Sequence, residues 1–452
     1  MTECTRSPIA FSSLGKRKVV ADFDGGTITS DGGVLLLRQI ERRLRLVERI
    51  DAAIPDPRNP FLITHSQVSM LRQRIFAIAL GQEDLNDHQT LRVDPLLQLA
   101  CERKVDSDRP LASPPTLCRL ENRAMRQPLA EAAKVLVEAF VESQKTPPKE
   151  LILDFDATND SVHGHQVGRF FHGYYDEYCF LPLYVFAGSQ RLVAYLRPAD
   201  QDGATHAWAI LSLLVKRFRQ VWPGVKIVFR GDSGFCRWKM LRWCDRHEVS
   251  YLVGLAKNPR LEALAQPLME QAKALAVDPK DRPRVFGEFC YAAATWDQAR
   301  RILAKAEYLP ARRPDEKAKE NFRFLVTNLS GDTQPLYEQT CCQRGQVENR
   351  IKEQQLGLFA DRTSCHNFEA NQLRVLLSAA AYVLIEHLRR TELVGTELEK
   401  AQVSTLRLKL LKIGGRVLVS ARRIVLHLAS SFPLQDLFRR LAARLLVPAR
   451  VT

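Results

Sequence analysis

Residues 151–158, LILDFDAT, constrain this chain more than any other stretch. Side chains of a strand alternate between its two faces, so Leu151, Leu153 and Phe155 fall on one side and Ile152, Asp154 and Asp156 on the other. An apolar strand therefore ends with two carboxylates pointing the same way. Two such charges about 5 Å apart repel by roughly 3 kcal/mol at an effective dielectric of about 20, which calls for a cation or a shared proton. Taken alone, an Asp-x-Asp is more often a strand running into an aspartate-rich turn. Partners elsewhere in the chain have to decide the matter.

The order of patterns around this stretch predicts an α/β fold. Before it, periodic apolar residues predict helices at 34–47, 66–80, 114–126 and 129–144, with a strand at 18–23 running into the turn-rich DGGTITSDGG. After the KTPPKE linker come the strand at 151–156, a Gly- and aromatic-rich segment of two further strands, and a strand at 190–196. Helices at 204–221 and 235–247 then alternate with strands at 225–229 and 249–255. Meandering strands followed by helix and strand alternation is the order of a ribonuclease H-like mixed sheet with flanking helices. Residues 258–337 read as a β-rich insertion. Helices resume at 338–355 and 366–390, and the tail reads as a basic helix, a hairpin and a last helix at 434–446. The expected segments are 1–148, mainly helical with basic surfaces; 149–257, the first part of the core; 258–337, the insertion; 338–392, the rest of the core; and 393–452, a basic C-terminal region.

Three acids stand at informative places in this order: Asp156 at a strand end, Asp232 just past a later strand in RGDSGF, and Glu348 on the helix of QRGQVENRIKEQ. Each also has a plain structural account. Asp232 suits a turn or an N-cap. Glu348 lies between Arg344 and Lys352 at i,i+4 spacing, where a surface ion pair contributes about 0.3–0.5 kcal/mol. Together, three carboxylates suit two divalent ions in phosphoryl transfer, with Mg2+ or Mn2+ preferred by all-oxygen ligands and Asp154 a neighbour able to share them.

Charge points to the partner. Lys and Arg number 66 against 51 Asp and Glu, a formal +15. Such an excess favours a polyanion, most often nucleic acid. Residues 401–452 hold ten Lys or Arg and a single acid, Asp436, so Arg422, Arg423 and their neighbours are candidate contacts to a DNA backbone. No secretory h-region or membrane-length apolar run is evident, and the ten cysteines lack zinc or disulfide-framework spacing. A cytoplasmic protein with reduced thiols and no membrane contact is expected.

The combination FDGGTITSDGG, LDFDAT, HGYYDEYCFLPLYVF, RGDSGF and RGQVENRIKE resembles the DDE-type transposases of bacterial insertion sequences, in particular the group-one DDE domain with a β-rich insertion before its last acid. The resemblance spans nearly the whole chain. It implies a ribonuclease H-like core, divalent metal, a nucleoid-associated bacterial protein, DNA end binding by the helical region 1–148, and cleavage and joining of terminal inverted repeats to target DNA by a homodimer. Carried over by position, Asp156, Asp232 and Glu348 match the three acids. Arg344 matches the arginine of the signature around the third acid. Cys341 stands where that signature has tyrosine and Gln355 where it has lysine, so Arg350 or Lys352 would take over their backbone contacts. Three other readings stay open: a relative that binds DNA without cutting it, a nuclease of the same fold that releases ends without joining them, and a haloacid dehalogenase-like phosphatase using DFDGGT or LDFDAT as its nucleophile motif. The phosphatase needs a second acid where GDSGFC has Cys236.

Overall fold

The computed structural model describes residues 8–105, 109–311, 315–341 and 344–446. The chain forms two units. One consists of Met1–Asp51, Asp56–Leu120 and His387–Thr452, the other of Ala52–Pro55 and Glu121–Glu386. The expected terminal segments 1–148 and 393–452 thus largely share a unit, except that the helix Arg126–Glu142 belongs with the central part of the chain.

The central unit is built on one mixed sheet of eight strands. In chain order they are β1 (Glu150–Ala157), β2 (Leu183–Ala187), β3 (Gln190–Tyr195), β4 (Lys226–Gly231), β5 (Ser250–Leu255), β6 (Arg284–Tyr291), β7 (Arg300–Leu309) and β8 (Lys319–Thr327), and in space β6-β7-β8-β5-β4-β1-β2-β3. β4 runs parallel to both β1 and β5, and every other pairing is antiparallel. Antiparallel neighbours need only a short turn, as between β2 and β3, whereas parallel neighbours need a crossover. Helix α1 (Ala207–Val221) leads into β4, and helix α2 (Trp238–Arg246) connects β4 to β5.

Period-two alternation sorts the faces of β1 as the sequence predicts. Leu151, Leu153 and Phe155 join one buried apolar cluster with Leu211, Leu214, Val215 and Phe218 of α1 and with Met240, Leu241 and Cys244 of α2. Phe155 meets the Phe229 ring edge-on at 5.1 Å. Fully burying such side chains stabilises by about 1.5–3 kcal/mol each, which holds the strand in register and leaves Asp154 and Asp156 on the opposite face.

Two features differ from the sequence expectation. Residues 259–275, read as part of a β-rich insertion, form helix α3 (Pro259–Leu275), with Asn258 as N-cap accepting from the Leu261 amide and Pro259 in the first turn. Leu261, Ala265, Met269 and Ala272 recur at helical spacing and are fully buried; the cap, the proline and that periodicity were all present in the sequence. The strands of the insertion also continue the main sheet, because β8 pairs with β5.

Helices α4 (Gly345–Leu358) and α5 (Phe368–His387) complete the central unit. In the other unit, Ile28–Thr29 pairs with the tail hairpin Gly415–Val419 and Ile424–Leu428. The glycines of DGGTITSDGG account for a close approach there: the Gly32 amide donates to the Ile413 carbonyl at 2.8 Å, and a Cβ on Gly33 would lie 2.2 Å from the Leu410 carbonyl oxygen. Among the described residues no helix is long and apolar enough to cross a membrane. Cys342 and the last tail cation, Arg450, lie outside the described residues.

Candidate active site

β1 carries Asp156 to its C-terminal end, the turn after β4 carries Asp232, and the first turn of α4 carries Glu348. All three meet one guanidinium. Arg344 Nη2 lies 3.0 Å from Asp156 Oδ1 and 3.7 Å from Asp232 Oδ2, while Nη1 lies 3.3 Å from Glu348 Oε1. The plain account of Asp232 also holds, since its Oδ1 accepts from the Gly234 amide at 2.8 Å and caps the turn Ser233–Phe235. Its other oxygen faces Arg344. A Cβ on Gly254 would lie 2.7 Å from the Ser233 amide nitrogen, so glycine in β5 lets that turn pack closely.

The electrostatics of this cluster are lopsided. Asp156 is 7% exposed, and its carboxyl is pushed up to about 7, chiefly by burial. Arg344 opposes the rise, and the negative charges of Asp232 and Glu348 add to it. Burial first and the charge of Asp156 next push the Tyr175 phenol to about 12. A divalent cation would reverse the effect on Asp156, because it favours the ionised form. The donors are hard carboxylate oxygens and suit such an ion. Among the described residues, however, no three acids, histidines or cysteines lie close enough to hold an ion as they stand; the Arg344 guanidinium lies among the three carboxylates.

Asp154 does not join the cluster. Arg230, its register partner on β4, grips both of its oxygens, with Nη2 to Oδ2 at 2.7 Å, and the pair is almost wholly buried. Arg230 also donates to the Thr340 carbonyl in the short helical segment Leu336–Cys341, which precedes Arg344 in the sequence. Sequence reasoning passed over Arg230, although a signal was there: a cation two residues before Asp232 and an acid two residues before Asp156, on strands that parallel pairing aligns. The other DxD, Asp22 and Asp24, lies on exposed coil rather than at a central strand end.

Of the expected DNA contacts, Arg350 is half-buried and donates to Gln346 Oε1 at 3.1 Å, and Lys352 is exposed on α4. Arg422 and Arg423 are exposed in the turn of the tail hairpin. Gln355 is turned inward: its Nε2 donates to the Asn159 carbonyl at 3.2 Å and to Asp160 Oδ1 at 3.3 Å, tying α4 to the segment just beyond β1.

Asp160 provides a pH signature. It is fully buried, and burial first and Asp361 second push its carboxyl up to about 8 from an ordinary 3.8, against the Gln355 hydrogen bond. The folded state therefore keeps a proton that the unfolded chain has released. The stability this group contributes is complete in acid and is lost as pH rises from about 4 through about 8. Asp160→Asn is expected to match or fall slightly below the parent in thermal midpoint near pH 5 and to exceed it near pH 9. An offset independent of pH would show that Asp160 is not the titrating group.

The sequence matches the family model for the transposase DDE domain, group 1, over residues 11–448. The chain belongs to that family. No curated protein sequence matches it. Among solved structures, the cryo-EM structure of a piggyBac transposase synaptic complex with hairpin DNA is similar at a TM-score of 0.42 and 11% identity, covering 85% of this chain and 80% of that one. No residue role is taken from so distant a likeness.

Proposed function

We propose that this chain is a DNA transposase that cuts and joins DNA ends with Asp156, Asp232 and Glu348 as its acids, on a ribonuclease H-like core. The supporting observation is the gathering of three carboxylates from distant segments about the single guanidinium of Arg344. Strand order lends further support: the meander β1-β2-β3 lies on one side of β1, and the parallel strands β4 and β5 lie on the other.

In this reading Asp156, Asp232 and Glu348 would hold divalent metal, Mg2+ or Mn2+, which would supply Lewis-acid assistance to phosphodiester cleavage. Asp156 brings a buried carboxylate at a strand end, which a bound cation would keep ionised. Arg344, on the same site, would offer a phosphate the planar fork of its guanidinium. Lys352 and Arg350 follow on the same helix as further phosphate contacts. A bacterial insertion-sequence origin and a homodimer holding two element ends belong to the same proposal.

The test is to incubate the full chain with DNA carrying its own flanking terminal repeats and Mg2+, and to map the products. Free 3′ hydroxyl ends joined to new DNA are expected. Ends released without joining would make the protein a nuclease, and bound but uncut DNA would make it a binding relative.

The tail makes a separate prediction. Each phosphate contact contributes about 0.9 to the slope of log affinity against log salt on duplex DNA. Replacing Arg422 and Arg423 with Gln should lower the slope by about 2. An unchanged slope in a salt titration of binding would assign both residues to solvent.

A further inference from the structure

We propose that a groove on the outer surface of α1 and α2 is a binding site for an unpaired nucleotide. The groove has a volume of about 550 Å³ and is lined by Trp208 of α1 and by Trp238 and Trp243 of α2, three of the five tryptophans in the chain. Its volume lies within the roughly 300–1,000 Å³ of small-ligand sites. Trp208 is 51% exposed. Around the indoles stand Arg237, Lys239, Arg242 and Arg246, and no acid lines the groove.

The arrangement is fixed by its neighbours. The Lys239 ammonium lies 5.7 Å and the Arg242 guanidinium 6.0 Å from the Trp238 ring centre. Trp243 stacks on His247 at 4.3 Å. Arg237 is paired with Asp202, and Arg242 lies 3.7 Å from Asp297.

The exposed Trp208 indole, with the half-buried Trp238 and Trp243 beside it and cations around them, fits a ligand that has a flat π face and a negative charge. A nucleotide has both: the base stacks on tryptophan and the phosphate meets Lys239 or Arg246. A paired base hides its faces in the duplex stack, so the occupant has to be unpaired. A second copy of this chain meeting the groove through the same patch would set cations against cations, which disfavours it.

Helix α2 begins six residues after Asp232, with the capped turn between them. The groove is therefore tied to the strand end that carries an acid of the cluster. That the nucleotide comes from a DNA strand rests on the transposase reading; the stacking chemistry does not.

The experiment measures binding of the full chain, in chelator, to a labelled oligothymidine and to a duplex of matched length. Stacking on an aromatic side chain contributes about 1–3 kcal/mol per base, on the order of tenfold or more in affinity. Trp208→Ala combined with Trp238→Ala is expected to weaken oligothymidine binding about tenfold or more and duplex binding by less than about twofold. Leucine at both positions, which keeps apolar bulk without a π face, should give the same loss. Because Trp208 is exposed, Trp208→Ala alone tests the idea without threatening the fold and should shift affinity in the same direction. The proposal is overturned if oligothymidine binding is unchanged, if both DNAs weaken equally, if leucine restores binding, or if the variants change only the sedimentation of the protein. A parent that binds oligothymidine through these tryptophans yet never cleaves DNA with Mg2+ would remove the transposase reading and support the groove.

Discussion

Asp156→Asn, Asp232→Asn and Glu348→Gln are each expected to bind element-end DNA as tightly as the parent, or slightly more tightly, and to lose Mg2+-dependent cleavage by on the order of 10⁴-fold. The expectation follows from charge. The three acids lie about one guanidinium, so removing one negative charge leaves the surface no less attractive to phosphate while weakening the hold on a divalent ion. Groups that act as a unit lose nearly everything with the first member removed, so combining two substitutions should cost little more than one. Paired gel-shift and cleavage assays separate binding from chemistry. A variant that cuts at the parent's rate takes its residue out of the site, and losses that multiply would mean that the acids act independently.

The second large effect concerns stability. Arg230→Met is expected to destabilise the protein by about 3–5 kcal/mol, because it leaves Asp154 charged, buried and unpaired. Asp154 is 2% exposed and Arg230 is 5% exposed, and the guanidinium holds both carboxylate oxygens. Adding Asp154→Leu to Arg230→Met should recover most of the loss, since well-packed apolar replacements of buried ion pairs are often neutral or better. Urea unfolding of the two single variants and the double variant measures this. Asp154→Asn also decides between roles: a structural partner loses stability and keeps substantial cleavage, whereas a metal ligand keeps stability and loses cleavage as Asp156→Asn does. Because Arg230 also reaches the Thr340 carbonyl, Arg230→Met should loosen the approach to Arg344 and slow cleavage as well.

Much of this was legible along the chain, for definable reasons. Alternation put Leu151, Leu153 and Phe155 on one face because a half-apolar strand has one way to bury itself. The i,i+4 spacing of Arg344 and Glu348 foretold their contact, since those positions adjoin on any α-helix. Other features depended on which strands become neighbours. Asp154 and Asp156 are equivalent by spacing, and the parallel register that sets Arg230 beside Asp154 is what separates them. Gln355 stands where the related signature has lysine, and its inward turn toward Asp160 came from packing rather than from the motif. Helix α3 went unread although its signals were local, because the β-rich text after it dominated the segment.

By itself the sequence determined the kinds of element, the apolar face of each, the excess of positive charge and a short list of candidate acids, since the first three follow from short-range geometry and composition and the list from motif position. The tertiary structure decided which of those distant charges meet, joining Arg230 to Asp154 and Arg344 to Asp156 and Asp232. Pairing across a sheet depends on register between distant segments, 76 residues apart for Asp154 and Arg230, and no local spacing encodes it.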